Sequence, residues 1–384
     1  MATCYRNIAT FVSPAEAIGE LTVITDAAIV VDDGQVTWLG KDLDAPACET
    51  EVDLTGKTVI PGFVDSHSHL VFGGERSEEF ASRMAGKKYE AGGINSTVSA
   101  TRSATAEELR ANTAGLVQEL FASGITTFEI KSGYGLDIET EKLSLEIASE
   151  FTEEVTFLGA HVVPAGSESD DYTDLVAGKM LESITAKWVD VFCDTGAFSV
   201  VQARKVLTAG IAAGLKPRMH ANQLSNIGAI ALAVELDCAS VDHCTFLDDN
   251  DIELLKNSNT VATLLPGAEF STRSPYPQGG NLMKAGIAVA LATDCNPGSS
   301  FTSSMAFCIA VAVRDMGFSV DQAIWAATKG GAMALRGNQG VLEVGSRADF
   351  VVLDAPNHIY LAYRPGVATI SQTFLQGRKV YERR

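Results

Sequence analysis

Short apolar runs alternate with amphipathic helical patterns through the middle of the chain, as the spacing of the apolar positions shows. Eight of these runs are predicted to be buried strands: Gly62–Asp65, Ile125–Lys131, Thr156–Ala160, Val189–Cys193, Lys216–Met219, Ser240–Asp242, Thr260–Leu265 and Ala288–Ala292. Eight strands that alternate with helices are typical of a closed parallel (β/α)8 barrel of the TIM type. An open doubly wound sheet shares the alternation, and periodicity alone does not separate the two folds.

Two of the segments between these strands carry signals for where a helix begins and ends. Thr105 and Glu108 have the spacing of a capping box, and Gly124 follows the last apolar position of that segment. Ser199 and Gly214 stand at corresponding places around a second segment. The pattern therefore predicts one helix between Thr105 and Gly124 and another between Ser199 and Gly214.

The two ends of the chain have the pattern of strands joined by tight turns. Asp33 and Gly34 separate the apolar runs 27–31 and 35–39, which predicts a β-hairpin. Further strands are predicted near the other end, at 349–353, 373–375 and 378–381. We expect residues 1–59 and 341–384 to form together a small β-sandwich-like domain, and residues 60–340 to form the barrel.

The composition indicates a large buried core, because the 384 residues are 46% hydrophobic and 20% charged. The formal net charge of -19 repels phosphate backbones and anionic membrane surfaces, so neither nucleic acid nor a membrane is expected as a partner. The seven cysteines are scattered and form no CxxC pair, and no apolar run reaches about 18 residues. These features predict a cytoplasmic protein with reduced thiols.

Polar residues at the ends of the predicted strands carry the candidate chemistry. Five of the six histidines, and one aspartate, occupy such positions: His67, His69, His161, His220, His243 and Asp294. A barrel brings the carboxyl ends of its strands to one mouth, where active sites form. In an extended His67-Ser68-His69 segment both imidazoles point to the same side, so they can bind the same ion.

Four of these side chains are predicted to be metal ligands: His67, His69, His220 and Asp294. Such a set leaves a coordination position open for water, which is typical of a catalytic site. Three histidines and one carboxylate suit zinc and also iron. A second ion would need a bridging group, for which Asp194 at the end of strand four is a possible source, whereas Lys131 lies on strand two. We expect one divalent or trivalent ion, zinc or iron, per chain.

Several motifs resemble those of a known family. The runs Pro61–His69 and Leu342–Val352 are similar to the amidohydrolase superfamily pattern. Four further runs resemble the imidazolonepropionase family over nearly the whole chain: Glu129–Leu136, Leu158–His161, His220–Asn226 and Ala292–Ser299. The resemblance implies metal-dependent hydrolysis of a ring carbon-nitrogen bond in 4-imidazolone-5-propanoate, a small-molecule substrate, to N-formimidoyl-L-glutamate.

Catalytic roles are expected for three residues of the mouth. Asp294 is the expected first proton acceptor, and His243, beside it on strand six, is expected to hold the nucleophile or stabilise developing charge. The resemblance implies that His161 contacts the substrate and polarises its carbonyl. It also implies that substrate and product are positioned by Tyr134, Asn296, Gly298 and Ser299. Tyr134 and the Asn-Pro-Gly run are also ordinary turn chemistry.

A substrate that ends in propionate needs a fixed cation in a chain of this charge. Arg76, on the loop after the first strand, is the best placed candidate, because a guanidinium binds a carboxylate through two parallel hydrogen bonds. The alternative is a solvated arginine paired with Glu75, Glu78 or Glu79.

The chain departs from related patterns at two places. Many deaminases of the superfamily have HxxE on strand five, whereas this chain has Gln223. A glutamine amide transfers no proton but can bind an imidazolone ring through hydrogen bonds, which favours ring opening over deamination. The loop Lys88–Gly93 is shorter than the usual family form.

Three other classes of protein remain as alternatives at this point. They are a cytosine- or guanine-type deaminase, a catalytically inactive barrel that serves as a scaffold, and an open-sheet binding protein. A homodimer is expected because such barrels commonly form one.

Overall fold

The computed structural model describes residues 2–86 and 93–383. Its strands are β1 Thr3–Pro14, β2 Leu21–Asp32, β3 Gln35–Lys41, β4 Thr50–Asp53, β5 Thr58–Pro61, β6 Phe63–Asp65, β7 Ile125–Phe128, β8 Ile130–Lys131, β9 Val155–Ala160, β10 Trp188–Cys193, β11 Lys216–Pro217, β12 Met219–Ala221, β13 Ser240–His243, β14 Val261–Leu264, β15 Val289–Leu291, β16 Phe350–Leu353, β17 Ile370–Leu375 and β18 Arg378–Glu382. All eight predicted strands of the middle are confirmed within two residues, two of them as a pair of shorter strands.

The helices lie mainly between the strands of the middle. They are α1 Ser77–Met84, α2 Ile94–Ser103, α3 Ala106–Ala122, α4 Ile138–Ser149, α5 Ser169–Leu175, α6 Val200–Ala212, α7 Ala229–Glu235, α8 Asp249–Lys256, α9 Pro266–Thr272, α10 Gly279–Lys284, α11 Met305–Asp315, α12 Val320–Trp325, α13 Gly331–Ala334 and α14 Tyr360–Tyr363. The predicted caps are confirmed, because Thr105 forms a capping box with Glu108 before α3, and Ser199 caps α6. No helix among residues 2–86 and 93–383 combines the length and the apolar character that a membrane crossing requires.

The middle of the chain is an α/β fold built on parallel strands. One sheet has the order β15-β14-β13-β12-β10-β9-β8, with β11 beside β10, and β6 pairs with β7. The segment that continues β6 bonds to both ends of that sheet. The amide of Lys131 donates to Ser68 O at 2.9 Å, and the amide of Asp294 donates to His67 O at 3.0 Å. The parallel sheet therefore curls, and its strands direct their carboxyl ends to one side.

Strands from both chain termini share one mixed eight-stranded sheet of order β18-β17-β16-β5-β1-β2-β3, with β4 beside β1. The predicted hairpin is confirmed, with left-handed backbone at Asp33 and Gly34 in its turn. Alternate residues of β2 are buried on opposite faces of the sheet. Ile29 belongs to a core with Phe350, whereas Ala28 packs with Cys4.

The terminal sheet is joined to the middle by side-chain contacts. Val351 and Ile370 belong to the same hydrophobic core as Leu120 of α3, and the Thr373 hydroxyl donates to Phe121 O at 2.7 Å. This packing fixes the end of α3 and the start of β7, which lies beside β6. The predicted short loop Lys88–Gly93 falls almost entirely on residues 87–92, which lie outside the described residues.

Candidate active site

The four predicted metal ligands lie together at the carboxyl ends of the curled sheet. The Nε2 atoms of His67 and His69 are 3.3 Å apart, and Asp294 Oδ1 lies 3.4 and 3.6 Å from them. Ring nitrogens of His67, His220 and His243 also lie within 4.8 Å of one another. The structure thus brings His243 into the same cluster, next to the four predicted ligands.

The chemistry of this cluster fits a bound cation. His67 Nδ1 donates to Asp242 Oδ2 at 2.7 Å, so on a neutral ring Nε2 carries a lone pair. That lone pair faces His69 Nε2 and the Asp294 carboxylate. Burial lowers the pKa of His67, His69 and His243, which keeps these rings neutral and able to ligate. Several lone pairs directed at one point repel each other unless a positive ion lies between them.

Two buried aspartates orient two of the ligand imidazoles from below. Asp242 binds His67 as described, and Asp190 Oδ2 lies 3.0 Å from His220 Nδ1. Both carboxyl groups are fully buried. Burial acts to raise the pKa of Asp190, but His220 and Lys131 outweigh it and hold that pKa well below its usual range. Carboxylates in this position fix the tautomer and the direction of a ligating histidine.

Two buried cations lie beneath these aspartates. Lys131 Nζ is 2.9 Å from Glu129 Oε1 and 2.8 Å from Asp190 Oδ2. Arg218 Nη2 is 3.3 Å from Asp242 Oδ2 and donates to Ser66 O at 2.6 Å. The network therefore balances three buried carboxylates with two cations, and Lys131 is part of the support of the ligands.

Asp194, the potential bridging carboxylate, is occupied elsewhere. Its Oδ2 accepts the Leu224 amide at 2.7 Å, and its Oδ1 accepts the Ser225 hydroxyl at 2.8 Å. Both oxygens thus anchor the loop after β12. This geometry favours the mononuclear interpretation over the binuclear one.

The turn after Asp294 holds that residue in place. The Ser299 hydroxyl donates to Asp294 Oδ2 at 3.0 Å, and Asn296 Nδ2 donates to Asp294 O at 2.6 Å. Asn296 Oδ1 also accepts the amides of Gly298 and Ser299, each at 2.8 Å. Asn296 and Ser299 line the cavity above the cluster. The Asn-Pro-Gly run is therefore an ordinary turn and also part of the predicted site, because its hydrogen bonds orient Asp294, a predicted metal ligand.

Tyr134 and His161 form one wall beside the histidine cluster. The Tyr134 ring centroid lies 5.8 Å from that of His69 and 5.4 Å from that of His161. A carbonyl oxygen only accepts, so His161 Nδ1 donates to Gly133 O at 2.9 Å. Burial lowers the pKa of His161 to about 3, so the ring is neutral near pH 7. The Nε2 atom of His161 is then an acceptor, whereas polarising a carbonyl requires a donor.

Arg76 lies in the wall of the cavity and is also paired with a neighbouring glutamate. Its Nε and Nη2 atoms each lie 2.7 Å from a carboxylate oxygen of Glu79, which also binds Arg83 at 3.0 Å. A Cβ on Gly298 would lie 2.2 Å from Arg76 Nη1, and a Cβ on Gly93 would lie 2.3 Å from Nη2. Both glycines are therefore required for the position of this guanidinium, which is 8% exposed.

The predicted site residues surround a small cavity above the histidine cluster. Its wall includes His69, Arg76, Tyr134, His161, His220, Gln223, His243, Asp294, Asn296 and Ser299. His67 lies beneath this wall, and Gly298 lines the adjoining outer pocket with Arg76. The structure thus brings together all the residues that the sequence nominated.

Sequence reasoning missed the supporting charges Glu129, Asp190, Arg218 and Asp242. Each is buried and lies in or beside a strand of the parallel sheet. A charged residue within a strand predicted to be buried was the available signal, since such groups are rarely buried without a partner. Glu141 was also missed, and its carboxylate accepts backbone amides of the loop that carries Tyr134.

Comparison of the sequence with known proteins identifies the family of the chain. The model of the Amidohydrolase family matches residues 58–380. An imidazolonepropionase of Mycolicibacterium smegmatis is 55% identical over 98% of this chain and 97% of its own length. An imidazolonepropionase of Streptomyces griseus is 54% identical over 98% of this chain and 99% of its own length.

A solved structure supports the fold alone. The guanine deaminase of E. coli superposes with a TM-score of 0.74 at 18% identity, over 100% of both chains. Because the family model covers most of the chain and the curated relatives match it almost throughout, the chain belongs to the amidohydrolase family and, within it, to the imidazolonepropionases.

Proposed function

We propose that the chain hydrolyses the ring carbon-nitrogen bond of 4-imidazolone-5-propanoate to give N-formimidoyl-L-glutamate in histidine breakdown. The observation that carries this proposal is identity above 50% to imidazolonepropionases over nearly the whole chain, together with a buried cluster of histidines and Asp294. Gln223 lines the cavity where a proton-transferring glutamate would serve deamination. Ring opening is therefore favoured over ammonia release.

The residues proposed to hold one divalent ion are His67, His69, His220 and Asp294. Neutral imidazoles and a carboxylate are suitable ligands for zinc and for iron. When bound, the ion supplies Lewis acidity, which lowers the pKa of a coordinated water toward neutrality. Asp190 and Asp242 keep two of the imidazoles directed into the ligand cluster.

Asp294 and His243 are proposed to move and stabilise charge during the reaction. Asp294 takes the proton of the attacking water and can return it to the ring nitrogen when the carbon-nitrogen bond breaks. Its Oδ2 is kept in place by the Ser299 hydroxyl. His243 is neutral, so it can donate a hydrogen bond to the oxygen that gains negative charge.

Substrate recognition is proposed to involve four residues of the wall. His161 Nε2 accepts a hydrogen bond from a ring N–H, because its Nδ1 proton is used by Gly133. Gln223 offers an amide that both donates and accepts, and Tyr134 packs against the ring. Arg76 binds the propionate group and shares its guanidinium with Glu79.

We further infer that the curled sheet closes into a (β/α)8 barrel, with domains at residues 1–59, 60–340 and 341–384. The bonds of Ser68 to Lys131 and of His69 to Cys295 support closure, since they join the first strand to both of its neighbours. Apolar clusters on both faces of the terminal sheet support a small sandwich-like domain formed by the two termini.

The wider setting of the enzyme is also a proposal. Seven free cysteines, six of them buried, support a reducing compartment such as the cytoplasm. The net charge of -19 argues against nucleic acid as a partner. A homodimer is proposed on the general frequency of two-fold assemblies alone.

Direct turnover of the imidazolone tests the proposed function. The ultraviolet absorbance of 4-imidazolone-5-propanoate should fade in the presence of the metal-loaded enzyme, with N-formimidoyl-L-glutamate formed in equal amount. Ammonia is assayed in the same samples. Release of ammonia from guanine or cytosine, without loss of the imidazolone, would instead identify a deaminase, and turnover of none of these compounds would favour the scaffold alternative.

A further inference from the structure

The carboxylate of Glu141 lies beneath the loop that carries Tyr134. Glu141 belongs to α4 and is fully buried. Its Oε2 accepts the Gly133 amide at 3.0 Å, and its Oε1 accepts the amides of Gly135 and Leu136, each at 2.8 Å. One side chain therefore binds three backbone N–H groups of a loop of four residues.

The conformation of this loop depends on such support. Gly133 and Leu136 both have left-handed backbone, with φ of 108° and 55°, and a β-carbon on Gly133 would lie 3.0 Å from His161 Nδ1. Left-handed backbone is unfavourable for leucine. The amide of Leu136 is one of the three that Glu141 binds, so the strained residue is held directly.

Glu141 differs in its partners from the three buried carboxylates that support the predicted metal ligands. Glu129, Asp190 and Asp242 pair with lysine, arginine or histidine. Among residues 2–86 and 93–383, no lysine or arginine lies within ion-pair distance of Glu141. Converging backbone amides form a concavity that suits an oxygen acceptor, and here a carboxyl side chain of the same fold occupies it.

The loop connects Glu141 to two residues that are predicted to bind the substrate, Tyr134 and His161. Gly133 contributes its amide to Glu141 and its carbonyl oxygen to His161 Nδ1. The ring of Tyr134, the next residue, lies against His69 and His161. Moving the Gly133 peptide would therefore change both the direction of the His161 ring and the place of Tyr134.

We propose that Glu141 is a positioning residue for substrate binding: through three backbone N–H groups it fixes the 133–136 loop, and through that loop the Tyr134 ring and the accepting Nε2 atom of His161. The proposal rests on the proposed function for its kinetic readout. Among the described residues, Glu141 belongs neither to the set that lines the cavity nor to the groups that could hold the metal ion. Its effect should therefore fall on substrate affinity, whereas metal content stays the same.

The variant that tests this is Glu141→Gln, which keeps the size of the side chain but replaces one accepting oxygen by an NH2 group. At least one loop amide then faces a donor. We expect KM for the imidazolone to rise about tenfold or more, as for loss of a hydrogen bond to a charged group. The kcat should change only a few-fold, with unchanged metal content. Hydrogen exchange of the peptide that spans 132–136 should become faster.

Asp349→Asn is the matched control. Asp349 is a buried carboxylate just before β16, its Oδ1 accepts the Gln376 amide at 2.7 Å, and its other oxygen pairs with Arg347. The same change of carboxylate to amide should lower the melting temperature but leave KM unchanged. If Glu141→Gln does not fold, Glu141→Asp keeps the charge on a shorter side chain and should give a smaller increase in KM.

The outcomes separate this inference from the proposed function. A wild-type enzyme that does not consume the imidazolone overturns the proposed function, and the exchange measurement then still decides whether Glu141 holds the loop. Unchanged hydrogen exchange of 132–136 in the variant overturns the positioning role. Faster exchange with unchanged KM also overturns it, as does a fall in kcat that accompanies loss of metal.

Discussion

The floor and the rim of the cavity are built by different physical means. On the floor, His67 and His220 are each directed by a buried aspartate, and these aspartates are balanced by Lys131 and Arg218. Their backbones belong to or continue the parallel strands. On the rim, Arg76 follows a loop and takes its direction from Glu79 and from the space left by two glycines.

This difference indicates that the two regions have different roles in the enzyme. The floor combines regular strands with low-dielectric ion pairs, so its geometry is fixed before substrate arrives. The rim depends on loop residues, which is where binding specificity usually lies. Changes to the floor should therefore affect catalysis and stability, and changes to the rim should affect substrate affinity.

The largest expected effect is removal of a ligand from the floor. His67→Ala, His220→Ala and Asp294→Ala should each abolish turnover, because activation of the water is lost with the ion. Metal content by elemental analysis should fall in the same variants. A near-normal rate in any of them would remove that residue from the ligand set.

His243→Ala tests the part of the floor that is proposed to act without holding the metal. We expect kcat to fall about 10²- to 10⁴-fold, the usual contribution of a group that moves or stabilises charge in the transition state. Metal content should stay that of the wild type. A loss of only a few-fold would contradict the catalytic role, and loss of metal would make His243 a ligand.

Lys131→Met tests whether the buried ion pairs stabilise the floor. Removing this cation leaves Glu129 and Asp190 under-compensated, which should lower the free energy of unfolding by about 3–5 kcal/mol in denaturant titrations. Lys142→Met is the control, since its pair with Glu146 is solvent-exposed and should contribute little. Equal stability of both variants would show that the buried network is dispensable.

Arg76→Ala tests the rim with the smallest expected effect. Loss of a paired charge should weaken binding of the transition state for the propionate substrate by about 2–4 kcal/mol, which is measured as a fall in kcat/KM. An imidazolone that lacks the propionate arm should be hydrolysed equally well by both enzymes. Equal losses on the two substrates would mean that Arg76 supports its loop through Glu79, and that another group binds the carboxylate.

The sequence predicted which histidines form the floor better than it predicted the buried charged residues that support them. The histidines were found because a polar residue after a buried strand is conspicuous, and the strand periodicity placed them at one mouth. Asp190 and Asp242 were missed because pairing across a curled sheet joins residues far apart in the chain. The tautomer of His161 depends on Gly133 O, and no sequence pattern encodes that contact.

Titration of the metal-free enzyme with zinc or iron tests the central claim most directly. The enzyme is treated with a chelator, the ion is added in fractions of one equivalent, and imidazolone turnover is followed at each step. We predict no turnover without metal and a linear rise that stops at about one ion per chain, the number that a mononuclear set of this kind holds. Turnover that persists without metal, or that keeps rising until two ions are bound per chain, would contradict a site that holds one metal ion.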